Sequence, residues 1–283
     1  MATSNLRETL PGVSRVATRF GRVSVFDNHS DRNLGGGVPL LFVHGNSVSQ
    51  RVFQGQLAGD FGPRRLLAVD LLGHGESDDA ADPFAAYTHE GYADTLIEVL
   101  DALAVERVVV IGWSLGGYIG YELAAKHSGV AALITVGTPP VNHETLFQGF
   151  LNNPTFEYIG QEVLTAEQAV EMAEQSTVTP APGDITANVV RADGRARKRM
   201  FDSLMAGEGQ DKRQLSLTPP VPLGIIDGAD DPFVNREYVD ALPFSALWRS
   251  APVRIPDTRH APFFEKPAEF NDLVRGFLID HNL

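Results

Sequence analysis

Short apolar runs alternate with helix-like stretches along most of the chain. The runs are bounded by glycine, proline or aspartate and lie at Pro39 to Val43, Leu66 to Val69, Val108 to Ile111, Ala132 to Val136 and Leu223 to Ile226. Runs this short and apolar on both faces are typical of buried parallel strands. Helix-like stretches such as Gly91 to Leu103 and Gly117 to Lys126 lie between them. The pattern predicts an α/β fold with a mostly parallel central sheet flanked by helices.

This alternation stops at Pro139-Pro140 and resumes after Pro219-Pro220. The intervening segment is polar and helix-prone and shows no clear strand. Because a structureless connection of this length is uncommon in a compact domain, we predict an inserted helical cap. Neither proline pair can continue a helix, so the two pairs mark its ends. The predicted division is a core of residues 1–138 and 220–283 and a cap of residues 139–219.

The strongest chemical motif is a serine between the run Val108 to Ile111 and the next helix. The sequence there is Gly112-Trp113-Ser114-Leu115-Gly116-Gly117, which contains G-x-S-x-G. Glycines leave room for a sharp turn that exposes the serine hydroxyl. Free N–H groups at the helix N-terminus favour an anionic oxygen. The bare pattern also occurs by chance in glycine-rich turns, but the preceding strand favours Ser114 as a nucleophile and Leu115 as an oxyanion-hole donor.

A second loop leaves the same carboxyl edge of the predicted sheet, where open α/β sheets bind ligands. His44-Gly45-Asn46-Ser47 directly follows the strand that ends at Val43. In hydrolases with a serine at such a turn, this loop supplies the second oxyanion N–H. We predict Asn46 as that donor and as a substrate contact. His44 is assigned a structural role, with catalysis as the alternative.

A serine hydroxyl is a weak nucleophile and needs a base within hydrogen-bonding reach. Serine hydrolases built on such a sheet place the base last in the chain order serine, acid, histidine. His260 follows the short strand Val253 to Ile255 and is preferred over His281, which lies at the chain end. The acid is expected after the run Leu223 to Ile226.

Three aspartates follow that run. Asp231 is preferred as the acid that orients the base, and Asp230 is the alternative. The other aspartates are expected to bond their own backbone in the turn.

Composition narrows the possible chemistry. The 283 residues carry a formal charge of -13, which repels nucleic acid, and the basic run Arg191 to Arg199 is assigned to a solvated helix face. The absence of cysteine excludes disulfides, thiolate metal sites and cysteine nucleophiles. Without a metal-binding spacing such as H-E-x-x-H, we expect neither metal nor cofactor. With no secretion signal or membrane span in the sequence, we expect a cytoplasmic protein.

Together these features resemble the α/β-hydrolase superfamily over nearly the whole chain. A narrower resemblance is to the metal-independent N-acyl-homoserine lactonases of that fold, which open the lactone ring of bacterial quorum-sensing signals. The narrower resemblance rests on His44-Gly45-Asn46-Ser47, Gly112 to Gly117, Gly137-Thr138-Pro139-Pro140-Val141, Asp193-Gly194-Arg195-Ala196-Arg197, Asp230-Asp231-Pro232-Phe233-Val234 and His260-Ala261-Pro262-Phe263. Two positions differ from a member of that family, which has glutamate in place of Asp231 and glycine in place of Arg259.

The resemblance implies the α/β-hydrolase fold and a small-molecule substrate, an acyl lactone or ester. It gives Ser114, Asp231 and His260 the triad positions. Substrate contacts in the lactonase hypothesis are Asn46 and Trp113, with an apolar acyl tunnel drawn from Phe147, Phe150, Phe156, Met172 and Met205.

Two alternatives remain. One is a carboxylesterase or C–C bond hydrolase of the same fold, and the other is a non-catalytic binding protein on that scaffold. Ser114 argues against the related epoxide and halide hydrolases, which have an aspartate at this position of the turn.

Overall fold

The computed structural model describes residues 12–28 and 36–283. Its centre is an eight-stranded sheet in the order β1-β2-β4-β3-β5-β6-β7-β8. The strands are β1 Val13–Thr18, β2 Gly21–Asp27, β3 Leu40–Val43, β4 Leu66–Val69, β5 Val108–Trp113, β6 Val130–Val136, β7 Leu223–Gly228 and β8 Val253–Ile255. From β4 to β8 the strands pair in parallel, which confirms the predicted fold class. The first eleven residues, where we expected no secretion signal, lie outside the described residues.

Helices follow most of the strands. They are α1 Gln54–Leu57, α2 Pro83–Ala86, α3 His89–Ala102, α4 Leu115–Lys126, α5 Leu146–Gly149, α6 Ala166–Ser176, α7 Gly183–Arg191, α8 Gly194–Met205, α9 Lys212–Leu217, α10 Arg236–Asp240, α11 Pro262–Glu265 and α12 Pro267–Asp280. Short 3₁₀ segments occur at Gln50–Phe53, Pro154–Gly160 and Trp248–Ser250. The predicted helices at 91–103 and 117–126 correspond to α3 and α4, each of which begins two residues earlier.

The apolar core has two layers, one on each face of the sheet. Side chains of α3 and α4, among them Leu96 and Ile119, pack on one face. Phe270 and Phe277 of α12 pack on the other. All six residues of β5 are buried, because this strand lies in the middle of the sheet with helices above and below it. Burial on both faces explains why the central strands are uniformly apolar in sequence.

The first two strands were not predicted. β1 and β2 form an antiparallel hairpin, and β2 pairs antiparallel with β4. Exposed and buried residues mix along β1, as expected for a strand at the edge of a sheet with a solvent-facing side. This hairpin was missed because its strands are not uniformly apolar.

Residues 139–219, here called the helical region, contain α5 to α9 and the 3₁₀ segment Pro154–Gly160. Its division from the core as a separate cap domain stays a prediction. The basic run was assigned to a solvated face, and this is wrong for Arg197, which is only 4% exposed. Arg195 and Lys198 are exposed and pair with Asp193 and Asp202. In the described part of the chain, no helix is long and apolar enough to cross a membrane.

Candidate active site

The turn after β5 holds Ser114 in a strained conformation. Its φ of 54° and ψ of -115° are unusual for a residue with a side chain. The backbone N–H of Ser114 donates to the Val136 carbonyl at 2.8 Å, and the Thr138 hydroxyl donates to the Ser114 carbonyl at 3.1 Å. These bonds tie the turn to the end of β6, so the surrounding structure supports the strain.

Close backbone contacts explain the glycines of this turn. A Cβ atom at Gly112 would lie 2.2 Å from the Gly116 carbonyl oxygen, and one at Gly116 would lie 2.1 Å from the Val43 carbonyl oxygen. Any side chain at either position would displace the turn. Leu115 is the first residue of α4, so its N–H has no intrahelical acceptor and is free to stabilise an oxyanion.

His260 and Asp231 form a buried pair after β8 and β7. His260 Nδ1 lies 2.8 Å from Asp231 Oδ2, and the two side chains are 6% and 4% exposed. Because a carboxylate only accepts hydrogen bonds, Nδ1 carries the proton and Nε2 remains available as a base. The second oxygen, Asp231 Oδ1, accepts from the N–H groups of Phe233 and Val234. Asp230, the alternative acid, is exposed.

Neighbouring groups hold the imidazole of His260 in place. The indole Nε1 of Trp113 donates to the His260 carbonyl at 2.8 Å, and the Phe233 ring meets the imidazole edge-on with centroids 4.8 Å apart. A Cβ at Gly137 would come within 2.7 Å of the imidazole Cε1. The glycine therefore lets the end of β6 approach the imidazole closely.

The loop after β3 lies beside Ser114. A Cβ at Gly45 would lie 3.3 Å from the Cβ of Ser114. His44 is fully buried, donating from Nδ1 to the Gly45 carbonyl and accepting at Nε2 from the Leu71 N–H. Burial lowers the pKa of His44 to about 3, so this imidazole is neutral and supports the loop, as its assigned structural role requires.

A buried carboxyl group that we had assigned to a turn lies at the end of β7. Asp227 Oδ1 accepts from the Gly137 N–H at 2.7 Å. Burial, followed by the negative charge of Asp231, raises the pKa of Asp227 to about 7. Asp227 is therefore a second ionisable carboxyl close to the His260 and Asp231 pair.

A narrow cavity of about 60 Å³ lies between the sheet edge and the helical region. It is bordered by Asn46, Trp113, Ser114, Leu115, Tyr118, Phe150, Phe156, Ile159, Met172, Ser176, Met200, Phe201, Leu204, Phe233 and His260. The structure thus brings the predicted nucleophile and base to one mostly apolar space. It also brings Asn46 and Leu115, the predicted oxyanion donors, to the same cavity.

Two residues proposed for the acyl tunnel do not line this cavity. Phe147 is 67% exposed and Met205 is 41% exposed, and neither borders the cavity. Trp113, Phe150, Phe156 and Met172 border the cavity as predicted. Sequence reasoning missed Met200, Phe201 and Leu204 of α8. They lie three, four and seven residues after Arg197, which is the spacing of residues on one face of a helix. This spacing could have predicted that they are buried on the same face.

The family model of the alpha/beta hydrolase family matches residues 40–273. This chain belongs to the alpha/beta hydrolase family. Among solved structures, a mutant of the N-acyl homoserine lactonase AidH complexed with N-hexanoyl homoserine lactone is 37% identical and has a TM-score of 0.90. That match covers 95% of this chain and 98% of that one. It confirms the narrower resemblance inferred from the sequence.

Other members of the hydrolase family act on different bonds. A haloalkane dehalogenase of Sphingobium indicum is 30% identical over 227 residues, covering 75% of this chain and 71% of that protein. A 2-hydroxymuconate semialdehyde hydrolase from a Pseudomonas species is 29% identical over 192 residues, covering 62% of this chain and 65% of that protein. The family therefore identifies this chain as a hydrolase and leaves its substrate to be argued from the site.

Proposed function

We propose that this hydrolase opens the lactone ring of N-acyl homoserine lactones, with Ser114 as nucleophile, His260 as base and Asp231 as the orienting acid. The observation that carries the proposal is the similarity to AidH, whose structure with N-hexanoyl homoserine lactone matches 95% of this chain at 37% identity. The mostly apolar cavity beside Ser114 suits an acyl chain.

The first half of the reaction forms an acyl-enzyme. Ser114 Oγ attacks the lactone carbonyl carbon while His260 Nε2 takes the hydroxyl proton. The negative oxygen is stabilised by the backbone N–H of Leu115 and by a side-chain N–H of Asn46. When the tetrahedral intermediate collapses, the ring C–O bond breaks, and the ring oxygen receives its proton from His260. The opened homoserine stays attached to Ser114 as an ester.

Water completes the cycle. His260 removes a proton from a water molecule that attacks the ester carbonyl, and the same two N–H groups stabilise the second oxyanion. Collapse returns the proton to Ser114 Oγ and releases N-acyl homoserine. The net change is one lactone and one water converted to one hydroxy acid. Asp231 stabilises the imidazolium in both halves because Nδ1–H faces its carboxylate at 2.8 Å.

Acid release in a weakly buffered indicator assay tests the proposal. The substrates are N-butanoyl and N-dodecanoyl homoserine lactone beside p-nitrophenyl butyrate, with the wild type and Ser114→Ala. We expect ring opening by the wild type and none by Ser114→Ala. Ester cleavage without lactone opening would refute the lactonase proposal and leave a carboxylesterase.

A second candidate is hydrolysis of a C–C bond. The 2-hydroxymuconate semialdehyde hydrolase relative favours it. 2-Hydroxymuconate semialdehyde is its diagnostic substrate, and Ser114-dependent loss of the absorbance of this compound with intact lactones would favour this candidate. The dehalogenase relative is a weaker guide to the substrate, because Ser114 supplies no carboxylate nucleophile. A non-catalytic binding protein would show no Ser114-dependent turnover on any of these substrates.

A further inference from the structure

Arg197 is a buried cation in α8, only 4% exposed. Its guanidinium donates to the carbonyl oxygens of Gln161 and Glu162 at 2.8 and 3.1 Å. It also donates from Nη1 to Ser47 Oγ at 3.1 Å, and it lies 3.5 Å from the Val189 carbonyl. Removing a charge from water is costly, and these hydrogen bonds together with the nearby negative charge of Asp193 offset that cost. The bond to Ser47 also connects Arg197 to the loop after β3.

The hydrogen bond to Ser47 continues to Asn46 beside the nucleophile. A hydroxyl has a single proton, and because Ser47 Oγ accepts from Arg197, its own proton is free to point to Asn46 Oδ1 at 2.9 Å. At the other end of the carboxamide, Asn46 Nδ2 donates to the Ile159 carbonyl at 3.0 Å. Rotating the carboxamide by 180° would place Asn46 Oδ1 against the Ile159 carbonyl oxygen, and two acceptors cannot form a hydrogen bond. Both ends of the Asn46 side chain are thus fixed.

The fixed carboxamide has one hydrogen left over. Nδ2 carries two hydrogens, and the Ile159 carbonyl takes one of them. Asn46 borders the cavity together with Ser114 and Leu115. The remaining amide hydrogen is therefore available to a carbonyl oxygen bound there, and its direction depends on the bonds at Ser47 and Ile159.

We propose that Arg197 is a positioning residue, which acts through Ser47 to hold Asn46 in the orientation that binds the substrate carbonyl oxygen. The proposal rests on the role assigned to Asn46 in the proposed function. It makes a residue of the helical region part of the support of the oxyanion site, because Arg197 joins that region to the loop after β3. The competing explanation is that Arg197 only cross-links the helical region to the core.

Four single variants and one double variant distinguish these explanations. Ser47→Ala removes the bridging hydroxyl but leaves the carbonyl contacts of Arg197 in place, and Arg197→Met removes the donors. Ser47→Gly controls for backbone strain, because Ser47 has a φ of 60°. Arg199→Met is the matched control. Arg199 also joins α8 to the core, donating to the Phe84 carbonyl at 3.0 Å, but it has no contact with the loop.

The readouts are kcat, KM and Tm with N-hexanoyl homoserine lactone and with p-nitrophenyl butyrate. We expect Ser47→Ala, Ser47→Gly and Arg197→Met each to lower kcat about tenfold, with KM changing less than about twofold, because the donor serves the developing oxyanion. The double variant Ser47→Ala, Arg197→Met should be no slower than the slower single variant, because both act through one path. Arg199→Met should keep the wild-type kcat.

A wild-type kcat in folded Ser47→Ala and Ser47→Gly overturns the proposal and leaves Arg197 as a structural cross-link. Additive losses in the double variant also overturn it. Kinetics with p-nitrophenyl butyrate separate failure of the positioning proposal from failure of the lactonase proposal. If the ester results hold while no lactone is opened, Arg197 keeps its positioning role and only the proposed substrate fails.

Discussion

The imidazole Nδ1 of His260 lies 2.8 Å from Asp231 Oδ2, in a pair that is almost closed to solvent. The same carboxylate is held by two backbone N–H groups through its other oxygen. One oxygen is therefore fixed by the turn, and the other fixes the imidazole of His260. This division lets the turn after β7 set both the position and the tautomer of His260.

Asp231→Asn should lower kcat by about 10³ to 10⁴, because an amide can donate to Nδ1 and stabilise the wrong imidazole tautomer. Hydrolysis of p-nitrophenyl butyrate measures the effect. The matched control is Asp230→Asn, a neighbouring exposed carboxylate, which should retain wild-type kcat. A large loss in Asp230→Asn with an active Asp231→Asn would reverse the assignment.

Ser114→Gly should be inactive yet more stable than Ser114→Ala, by about 1 kcal/mol. The reason is the positive φ of 54° at the turn, which glycine adopts without the strain imposed by a Cβ. Denaturant unfolding of the two variants measures the difference. Equal stabilities would mean that the turn relaxes when the serine is removed.

Asp227→Asn should make the protein more stable than the wild type above about pH 7, and the gain should vanish toward about pH 4. Burial raises the pKa of Asp227 to about 7 in the folded chain, whereas in the unfolded chain it lies near its ordinary value of 3.8. Between these values the folded state binds more protons, so the wild type loses stability as pH rises. Asparagine keeps an acceptor for the Gly137 N–H and removes the titration.

Unfolding free energies measured across this pH range for the wild type and Asp227→Asn test the assignment. The two curves should converge at low pH and separate as pH rises. Parallel curves would show that Asp227 does not titrate in that window.

Phe156→Leu should shift the kcat/KM preference toward longer acyl chains. Phe156 borders the cavity and packs against Phe150, with ring centroids 4.7 Å apart, so a smaller side chain enlarges the space. The comparison is between N-butanoyl and N-dodecanoyl homoserine lactone. Phe147→Leu is the control, because Phe147 is 67% exposed and should leave the preference unchanged. Equal shifts in both variants would contradict the assigned cavity.

Lys212→Met should destabilise the protein by about 3 to 5 kcal/mol, because it leaves a buried carboxylate without its cation. Lys212 Nζ lies 2.6 Å from Glu122 Oε1, and the two side chains are 2% and 0% exposed. Adding Glu122→Gln should recover part of the loss. Lys198→Met, which breaks an exposed pair with Asp202, should cost less than about 1 kcal/mol. Urea unfolding compares the three variants.

Features set by local pattern could be predicted from the sequence. The strands β3 to β7 were predicted because parallel strands covered on both faces are apolar throughout, and the turn at Ser114 was predicted because it admits only glycine at Gly112 and Gly116. The edge hairpin of β1 and β2 was missed because its burial is mixed. Both α3 and α4 begin two residues before the predicted start, because the Thr88 side chain caps α3 and the turn at Ser114 sets the start of α4.

The sequence by itself determined the class of fold and the sharp turn that carries Ser114, because strand burial and turn sterics are local properties. Tertiary structure alone paired His260 with Asp231 rather than Asp230, turned Phe147 to solvent, and buried Arg197 within a run of charged residues. Each of these three outcomes depends on which side of a turn or helix packs against the rest of the molecule. That is fixed by packing between segments far apart in the chain, such as Ser47 and Arg197, which are 150 residues apart.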